Sequence, residues 1–224
     1  MPAGQFVVVA APRHPAVSNM QASYRPDDPR LVNRIVVLDG GRATFDGAAM
    51  ACDSATGTTT RVAVGDLIRR IFPGRADHGK TYVSKPADFR LTLAPTRIVT
   101  ATRFQCLRAR GNHGEEWTGA TLFPLEEGRW ALSLIDDHLL ILAPAIGPIR
   151  ASFDCAKAGS PTERTICSDR LLAGWDRSVA DAYRQGDGDV ADQRAWLAER
   201  NACGTDKACL QLSMSNRADT LLRQ

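Results

Sequence analysis

The spacing of hydrophobic residues changes once along this chain, close to residue 149. Before that point apolar and polar residues tend to alternate, which is the period of a β-strand. Strands are predicted over Phe6–Ala10, Leu31–Leu38 and Arg42–Cys52, with a hairpin over 130–142 that turns at Asp136 and Asp137. The small polar run from Ser54 to Thr60 is predicted as a hairpin tip, and the alternation from Phe89 to Leu93 as a strand. A short helix is expected near Gly65, ended by Pro73-Gly74.

After Ala151 the apolar period becomes that of a helix. Ser160-Pro161-Thr162-Glu163 is a capping box, and Ser168-Asp169 caps a longer amphipathic helix. Two further helices are expected before the C-terminus. The pattern therefore predicts an α+β chain of two domains: a β-rich domain with a short helix in residues 1–148, and a small all-α domain in residues 149–224. The prolines at 144 and 148 indicate a linker between them.

Six cysteines are present, and none belongs to a C-x-x-C pair: Cys52, Cys106, Cys155, Cys167, Cys203 and Cys209. An even number without metal-ligand spacing favours a disulfide framework, and disulfides indicate an oxidising compartment such as the periplasm. If the two domains fold independently, Cys52 pairs with Cys106. Short loops favour Cys155–Cys167 and Cys203–Cys209, although the sequence leaves the pairing open. A helical domain of this size is expected to need such cross-links.

The formal net charge is +3, from 28 Lys and Arg against 25 Asp and Glu, which is too small to indicate a nucleic-acid surface. No apolar run approaches the length that spans a membrane. No signal peptide is recognisable, so an exported chain would correspond to the mature form. The four histidines share no ligand spacing, and no metal or cofactor is predicted.

The helical part resembles a known family through a series of short motifs. They are Ser152-Phe153-Asp154-Cys155, Ser160-Pro161-Thr162-Glu163, Ile166-Cys167-Ser168-Asp169, Gln193-Arg194-Ala195-Trp196-Leu197, Arg200-Asn201-Ala202-Cys203 and Ala208-Cys209-Leu210. In this order they resemble the lysozyme inhibitor LprI family, a four-cysteine helical module of bacterial envelope proteins, over about residues 152–222. Residues 1–148 resemble no recognised family.

The resemblance implies a periplasmic or otherwise extracytoplasmic protein that binds and inhibits a lysozyme or related peptidoglycan hydrolase, and that is not an enzyme. An immunity or envelope-scaffold protein that binds a different toxin or partner is the alternative. A lysozyme cleft presents two carboxylates, so an inhibitor needs an exposed cation. Lys207, Arg184, Arg108 and Arg110 are the candidate partner-binding residues. The sequence leaves the oligomeric state open.

One motif favours a different class of protein. Gly74–Thr81 matches the G-x-x-x-x-G-K-T pattern of a phosphate-binding loop, which makes nucleotide binding a remote alternative. A phosphate-binding loop joins a buried strand to a long helix, whereas here Pro73 precedes the motif and Pro86 follows it closely. The sequence context therefore argues against a nucleotide site.

Overall fold

A computed structural model describes residues 2–17, 23–47, 49–77, 80–111, 113–186 and 188–223. Eight of its strands form a closed antiparallel barrel. They are β1 (Gly4–Ala10), β2 (Ile35–Asp39), β3 (Arg42–Phe45), β4 (Met50–Ala63), β7 (Ile98–Gly111), β8 (Thr121–Pro124), β9 (Trp130–Ser133) and β10 (Leu140–Pro144). Each pairs with its neighbours in this order, and β1 closes the ring against β10. Between β4 and β7 lie helix α1 (Val64–Ile71) and a hairpin of β5 (Arg75–Asp77) and β6 (Lys80–Tyr82).

Alternation along the strands of one flank separates two hydrophobic cores. In β10, Leu140 and Leu142 point into the barrel, while Ile141 packs on its outside. The interior core includes Phe104 and the fully buried Trp117, whose rings meet edge to face at 5.4 Å. The outer core lies between the sheet, α1 and a 3-10 helix at Pro86–Phe89. This outer layer covers part of one flank of the barrel.

Two of the predicted β elements are wrong. The run Ser54–Thr60 is not a hairpin tip but the middle of β4, which pairs with β7 from Met50 to Ala63. Its threonines are β-branched and favour extended backbone, and from Thr56 onward the side chains are exposed, which is why the run is polar. The alternation from Phe89 to Leu93 is not a strand. Phe89 ends the 3-10 helix and stacks on Phe72, with ring centroids 4.3 Å apart.

Four helices follow the barrel: α2 (Pro161–Ser168), α3 (Arg170–Gln185), α4 (Val190–Ala202) and α5 (Lys207–Arg223). The predicted capping box is confirmed, with Ser160 and Glu163 each accepting from the other's backbone N–H. Asp169 caps α3 through the N–H groups of Leu171 and Leu172. Lys207 contacts Asp169, and Gly186 lies against Leu221. Helices α3 and α5 therefore run parallel, side by side.

The prediction of a separate β domain and a separate all-α domain is wrong, because the helices are built onto the barrel. The guanidinium of Arg34, which is 1% exposed, lies 3.5 Å from the centre of the Trp175 ring on α3 and donates to Ser178 Oγ at 2.7 Å. Arg34 also pairs with Asp46 at 3.3 Å, and the Trp175 indole donates to the same carboxylate. A charged network that is shared by both parts is buried between them.

Close backbone packing and a polar clamp complete this contact. Gly174 on α3 lies so near the barrel that an added Cβ would stand 2.3 Å from the carbonyl oxygen of Asn33. On the other side, Arg30 bridges Asp28 and Asp219 of α5 at 2.8 and 3.0 Å. The amphipathic stripe of α3 thus covers two surfaces at once, the helical core and the barrel.

Three disulfides cross-link the chain, in the pairs that the sequence analysis favoured. Cys52–Cys106 joins β4 to β7, Cys155–Cys167 ties the segment before α2 to its last turn, and Cys203–Cys209 closes the turn between α4 and α5. None of the helices in the described ranges is long and apolar enough to cross a membrane.

Candidate functional site

The segment that joins the barrel to the helices, Pro144–Arg150, is held in place at several points; it is called the linker loop below. The N–H of Ala145 donates to the Gln5 carbonyl of β1 at 2.9 Å. From α3, the Arg170 guanidinium donates to the Gly147 carbonyl, and Arg177 donates to that of Arg150. Gly147 has a φ of 81°, a conformation that glycine adopts without strain. These contacts and the two prolines fix the shape of the loop before anything binds.

The linker loop displays the most exposed large apolar side chain of the described residues. Ile146 is 84% exposed, whereas Val9 on β1, which lines the same groove, is 45% exposed. An exposed isoleucine on a restrained loop can be buried by a partner at a small cost in conformational entropy. Isolated apolar residues are common on protein surfaces, so the neighbouring charges decide whether this one marks a site.

Three arginines surround the loop: Arg150 on the loop, and Arg170 and Arg177 on α3. They line a groove of about 520 Å³, the arginine groove, together with apolar side chains of β1 and β2. Its lining contains no acidic residue, and none of the three arginines forms an ion pair within the described ranges. Partial burial lowers the pKa of Arg177, although the carboxylates of Asp181 and Asp176 act in the opposite direction. A negatively charged partner would offset this desolvation.

Two of the sequence-predicted residues lie on the helices and far from each other. Lys207 begins α5 and pairs with Asp169 at 2.8 Å, while Arg184 lies in the last turn of α3 and pairs with Asp181. Because α3 and α5 are parallel, the two cations are separated by about the length of α3, roughly 20 Å. They do not form one binding surface.

The other two predicted residues lie at one end of β7. Arg110 pairs with Asp53 at 2.9 Å, and Arg42 pairs with the same carboxylate at 3.2 Å. Arg108 is exposed and follows Leu107, which is 66% exposed. This surface has the same chemistry as the linker loop, a cation beside an exposed aliphatic side chain. It differs in having Asp53 in its centre.

A larger cavity, of about 970 Å³, lies on the outside of the barrel next to α1. Its walls carry hydroxyl groups, among them Thr58, Thr60 and Ser133, and charges of both signs, Arg103 and Glu116. One wall includes the buried His14. The Ser84 hydroxyl donates its single hydrogen to the Phe72 carbonyl at 2.7 Å. His14 Nε2 lies 2.8 Å from Ser84 Oγ, and it must therefore be the donor in the His14–Ser84 hydrogen bond. The polar walls suit a hydroxyl-rich ligand.

The described residues contain one group that could approach a metal ion. Ligand atoms of His113, Glu115 and Glu116 lie within 4.8 Å of one another. All three side chains are exposed and follow one another around a 3-10 turn (Gly114–Trp117). Exposed acidic groups of this kind are common without an ion, and nothing further indicates a metal here.

The phosphate-loop motif Gly74–Thr81 is folded differently from a nucleotide site. Its residues 78 and 79 lie outside the described ranges. On either side of them, β5 and β6 pair as antiparallel strands, Arg75 opposite Tyr82 and Asp77 opposite Lys80. A phosphate-binding loop needs a helix directly after the lysine, and here a strand follows.

Comparison with protein-family models, curated proteins and solved structures finds no match for this chain. The resemblance of the helical part to the LprI family therefore stays a prediction. The linker loop was not among the predicted partner-binding residues, since Pro144 and Pro148 indicated only a connection. The sequence did contain a signal for this loop, namely Ile146 and Gly147 between two prolines. Its link to Arg170 was not visible, because only the fold brings Arg170 beside the loop.

Proposed function

We propose that this protein is an extracytoplasmic binding protein that inhibits lysozyme or a related peptidoglycan hydrolase, and that it acts by binding, without catalysing a reaction. The observation that carries the proposal is the linker loop, where Ile146 is 84% exposed beside three arginines that form no ion pair within the described ranges.

The chemistry of the target explains why such a loop suits it. A lysozyme cleft is a groove with two catalytic carboxylates. A guanidinium can meet a carboxylate with two parallel hydrogen bonds, and an aliphatic side chain can occupy a sugar-binding hollow. The linker loop presents both groups on backbone that is already fixed, so little conformational entropy is lost when it binds.

Two further observations support the proposal. The three disulfides are consistent with an oxidising compartment, where peptidoglycan hydrolases act. The helical motifs resemble the LprI family. In this chain, however, the face of α3 that carries Gly174 and Ser178 is covered by the barrel. We therefore assign target binding to the loop where barrel and helices meet, and to neither part alone.

A pair of matched double variants tests this assignment. Ile146→Asp/Arg150→Glu reverses the charge and removes the apolar anchor of the linker loop. Leu107→Asp/Arg108→Glu makes the same change on β7, at the surface that the sequence favoured. Inhibition of cell-wall lysis is measured for both, after circular dichroism has shown that both are folded. Loss of a central contact costs about 2 kcal/mol or more, so the first variant should weaken inhibition about thirtyfold.

The β7 variant should inhibit as the wild type does. If it loses inhibition and the linker-loop variant does not, the binding surface is the one around Arg108 and Arg110, and our assignment is wrong. If the wild type inhibits none of a panel of lysozymes, hydrolase inhibition itself is contradicted. An immunity or envelope-scaffold role with another protein partner would then be favoured.

A further inference from the structure

The longest strand of the barrel has a free edge. β4 pairs with β7 along its whole length, but on its other side β3 covers only Met50–Cys52. The last contact on that side is the N–H of Ala55, which donates to the Gly41 carbonyl at 2.5 Å. Beyond it, residues 56–61 are all exposed. Among the described residues, no strand pairs with this stretch of the edge.

The hydrogen bonds of β7 show which backbone groups of β4 lie at that edge. Phe104 exchanges both of its backbone hydrogen bonds with Gly119 and Ala120 on the β8 side. Its backbone therefore points away from β4, and Gly57, which lies opposite Phe104, points away from β7. By alternation, Thr59 and Arg61 do the same. Among the residues that the structure describes, the N–H and C=O groups of these three have no backbone partner and form an unpaired ladder.

Within the described part of the chain, residues 56–61 of this edge lack the usual protection against pairing. Natural edge strands are blocked by lysines, prolines, bulges or covering loops. The exposed run is Thr-Gly-Thr-Thr-Thr-Arg, whose single charge lies at its end. Four of its six residues are threonines, whose branched side chains favour pairing across strands.

We propose that a second copy of this chain pairs with the free edge, antiparallel and around a twofold axis at Thr59. In this register Thr59 faces its own copy, and Gly57 faces Arg61. The long Arg61 side chain then lies over a glycine, and no two arginines face each other. On the outer face Thr58 lies opposite Thr60, which forms two threonine pairs.

Registers with the axis on another edge-facing residue are less favourable. An axis at Gly57 would place Thr59 opposite Ala55, whose N–H already donates to the Gly41 carbonyl. An axis at Arg61 would place two arginines directly opposite each other and run the partner strand into the start of α1 at Val64. Axes at Thr58 or Thr60 would pair only two of the three edge-facing residues with each other, because Arg61 would then face Ala55 or Gly57 would face Ala63. The register with its axis at Thr59 is the one that pairs Gly57, Thr59 and Arg61 among themselves. An extended peptide of another protein could form the same backbone hydrogen bonds. Its side chains would not be matched to Gly57 and Arg61 in this way.

A charge-swap experiment tests the dimer. Thr59→Lys and Thr59→Glu each place like charges opposite each other across the axis, and each should weaken dimerisation about fivefold or more. An equimolar mixture of the two variants places Lys opposite Glu and should restore association. Thr58→Lys is the matched control, because residue 58 faces Thr60 and not its own copy. Sedimentation velocity over a range of protein concentrations gives the dissociation constants.

Several results would overturn the proposal. A wild-type chain that stays monomeric at all concentrations excludes the dimer. A dimer that neither Thr59 variant weakens must use another surface. Two monomeric variants that do not associate on mixing exclude the register with Thr59 on the axis. Capture of an extended peptide by the wild-type monomer would assign the edge to a heterologous partner and would also contradict the proposal.

Discussion

At the scale of single residues, Arg34 is the group on which the junction of barrel and helices depends. Burial lowers its pKa to about 10, although the neighbouring Asp46 carboxylate opposes that shift. Burial likewise raises the pKa of Asp46, against the effect of Arg34 and the Trp175 indole. Both groups have lost hydration, so each depends on the other and on Trp175.

Arg34→Met should therefore be strongly destabilising. It leaves the Asp46 carboxylate buried without its cation, and the removal of one partner from a buried ion pair costs about 3–5 kcal/mol. The double variant Arg34→Met/Asp46→Asn removes both charges and should lose less than the single variant. Urea unfolding gives the free energies. A double variant that is less stable than Arg34→Met would show that the pair does not act as a unit.

The buried Asp28 carboxylate makes the free energy of unfolding depend on pH in the acid range. Burial alone would raise its pKa, but hydrogen bonds from the Arg30 side chain and from the backbone N–H groups of Arg30 and Arg25 lower it overall. A lowered pKa contributes stability above the ordinary value of 3.8, and that contribution is lost as the pH falls through the folded-state value.

The free energy of unfolding should consequently fall as the pH drops below 3.8. Asp28→Asn should be less stable near neutral pH and should show a shallower dependence on acid pH. Urea titrations at a series of pH values measure both quantities. If Asp28→Asn showed the same acid slope as the wild type, other carboxylates would be responsible.

At the scale of secondary-structure elements, the closest approach is that of α3 to the segment before β2. Gly174→Ala improves helix propensity by about 1 kcal/mol and would stabilise an open helix face. Here the new Cβ would lie 2.3 Å from the Asn33 carbonyl, so we expect a net loss of about 1–3 kcal/mol. Gly159→Ala is the control, since its Cβ would have no neighbour closer than 3.9 Å. A stabilised Gly174→Ala protein would show that the helix does not pack against the barrel.

The three disulfides should differ in what they contribute. Cys52–Cys106 spans 54 residues and Cys203–Cys209 spans six. If loop entropy dominates, the first stabilises by about 4 kcal/mol and the second by about 2 kcal/mol. Paired Cys→Ala variants of each bridge, compared by urea unfolding, measure the difference. A larger loss on removing Cys203–Cys209 would contradict this order.

At the scale of the whole molecule, the barrel and the helices should unfold together. The charged network around Arg34, the Gly174 contact and the Arg30 bridge to Asp219 all cross between them. We expect one cooperative transition, with the same midpoint by far-ultraviolet and near-ultraviolet circular dichroism. Two separate transitions would contradict a joint fold.

Patterns within a segment predicted most of the local structure, apart from Ser54–Thr60 and Phe89–Leu93, and contacts between distant segments were not predictable. The capping box at Ser160, the Asp169 cap and the change of period near residue 149 were all readable, because each depends on neighbouring residues. The union of barrel and helices was not. The position of Trp175 in the apolar stripe of α3 is explained by the helical core alone. No local pattern indicates that Trp175 also contacts Arg34. For the same reason, the linker loop acquires its arginines only in the folded chain.

The central claim, that this chain inhibits a peptidoglycan hydrolase, is tested most directly by a lysis titration. Purified, oxidised wild-type protein is added to a panel of lysozymes that digest bacterial cell walls, and turbidity is followed. We predict that at least one lysozyme is inhibited in proportion to the protein added, with an end point near one chain for each enzyme. Undiminished lysis by every lysozyme, with the inhibitor in large molar excess, would contradict the account.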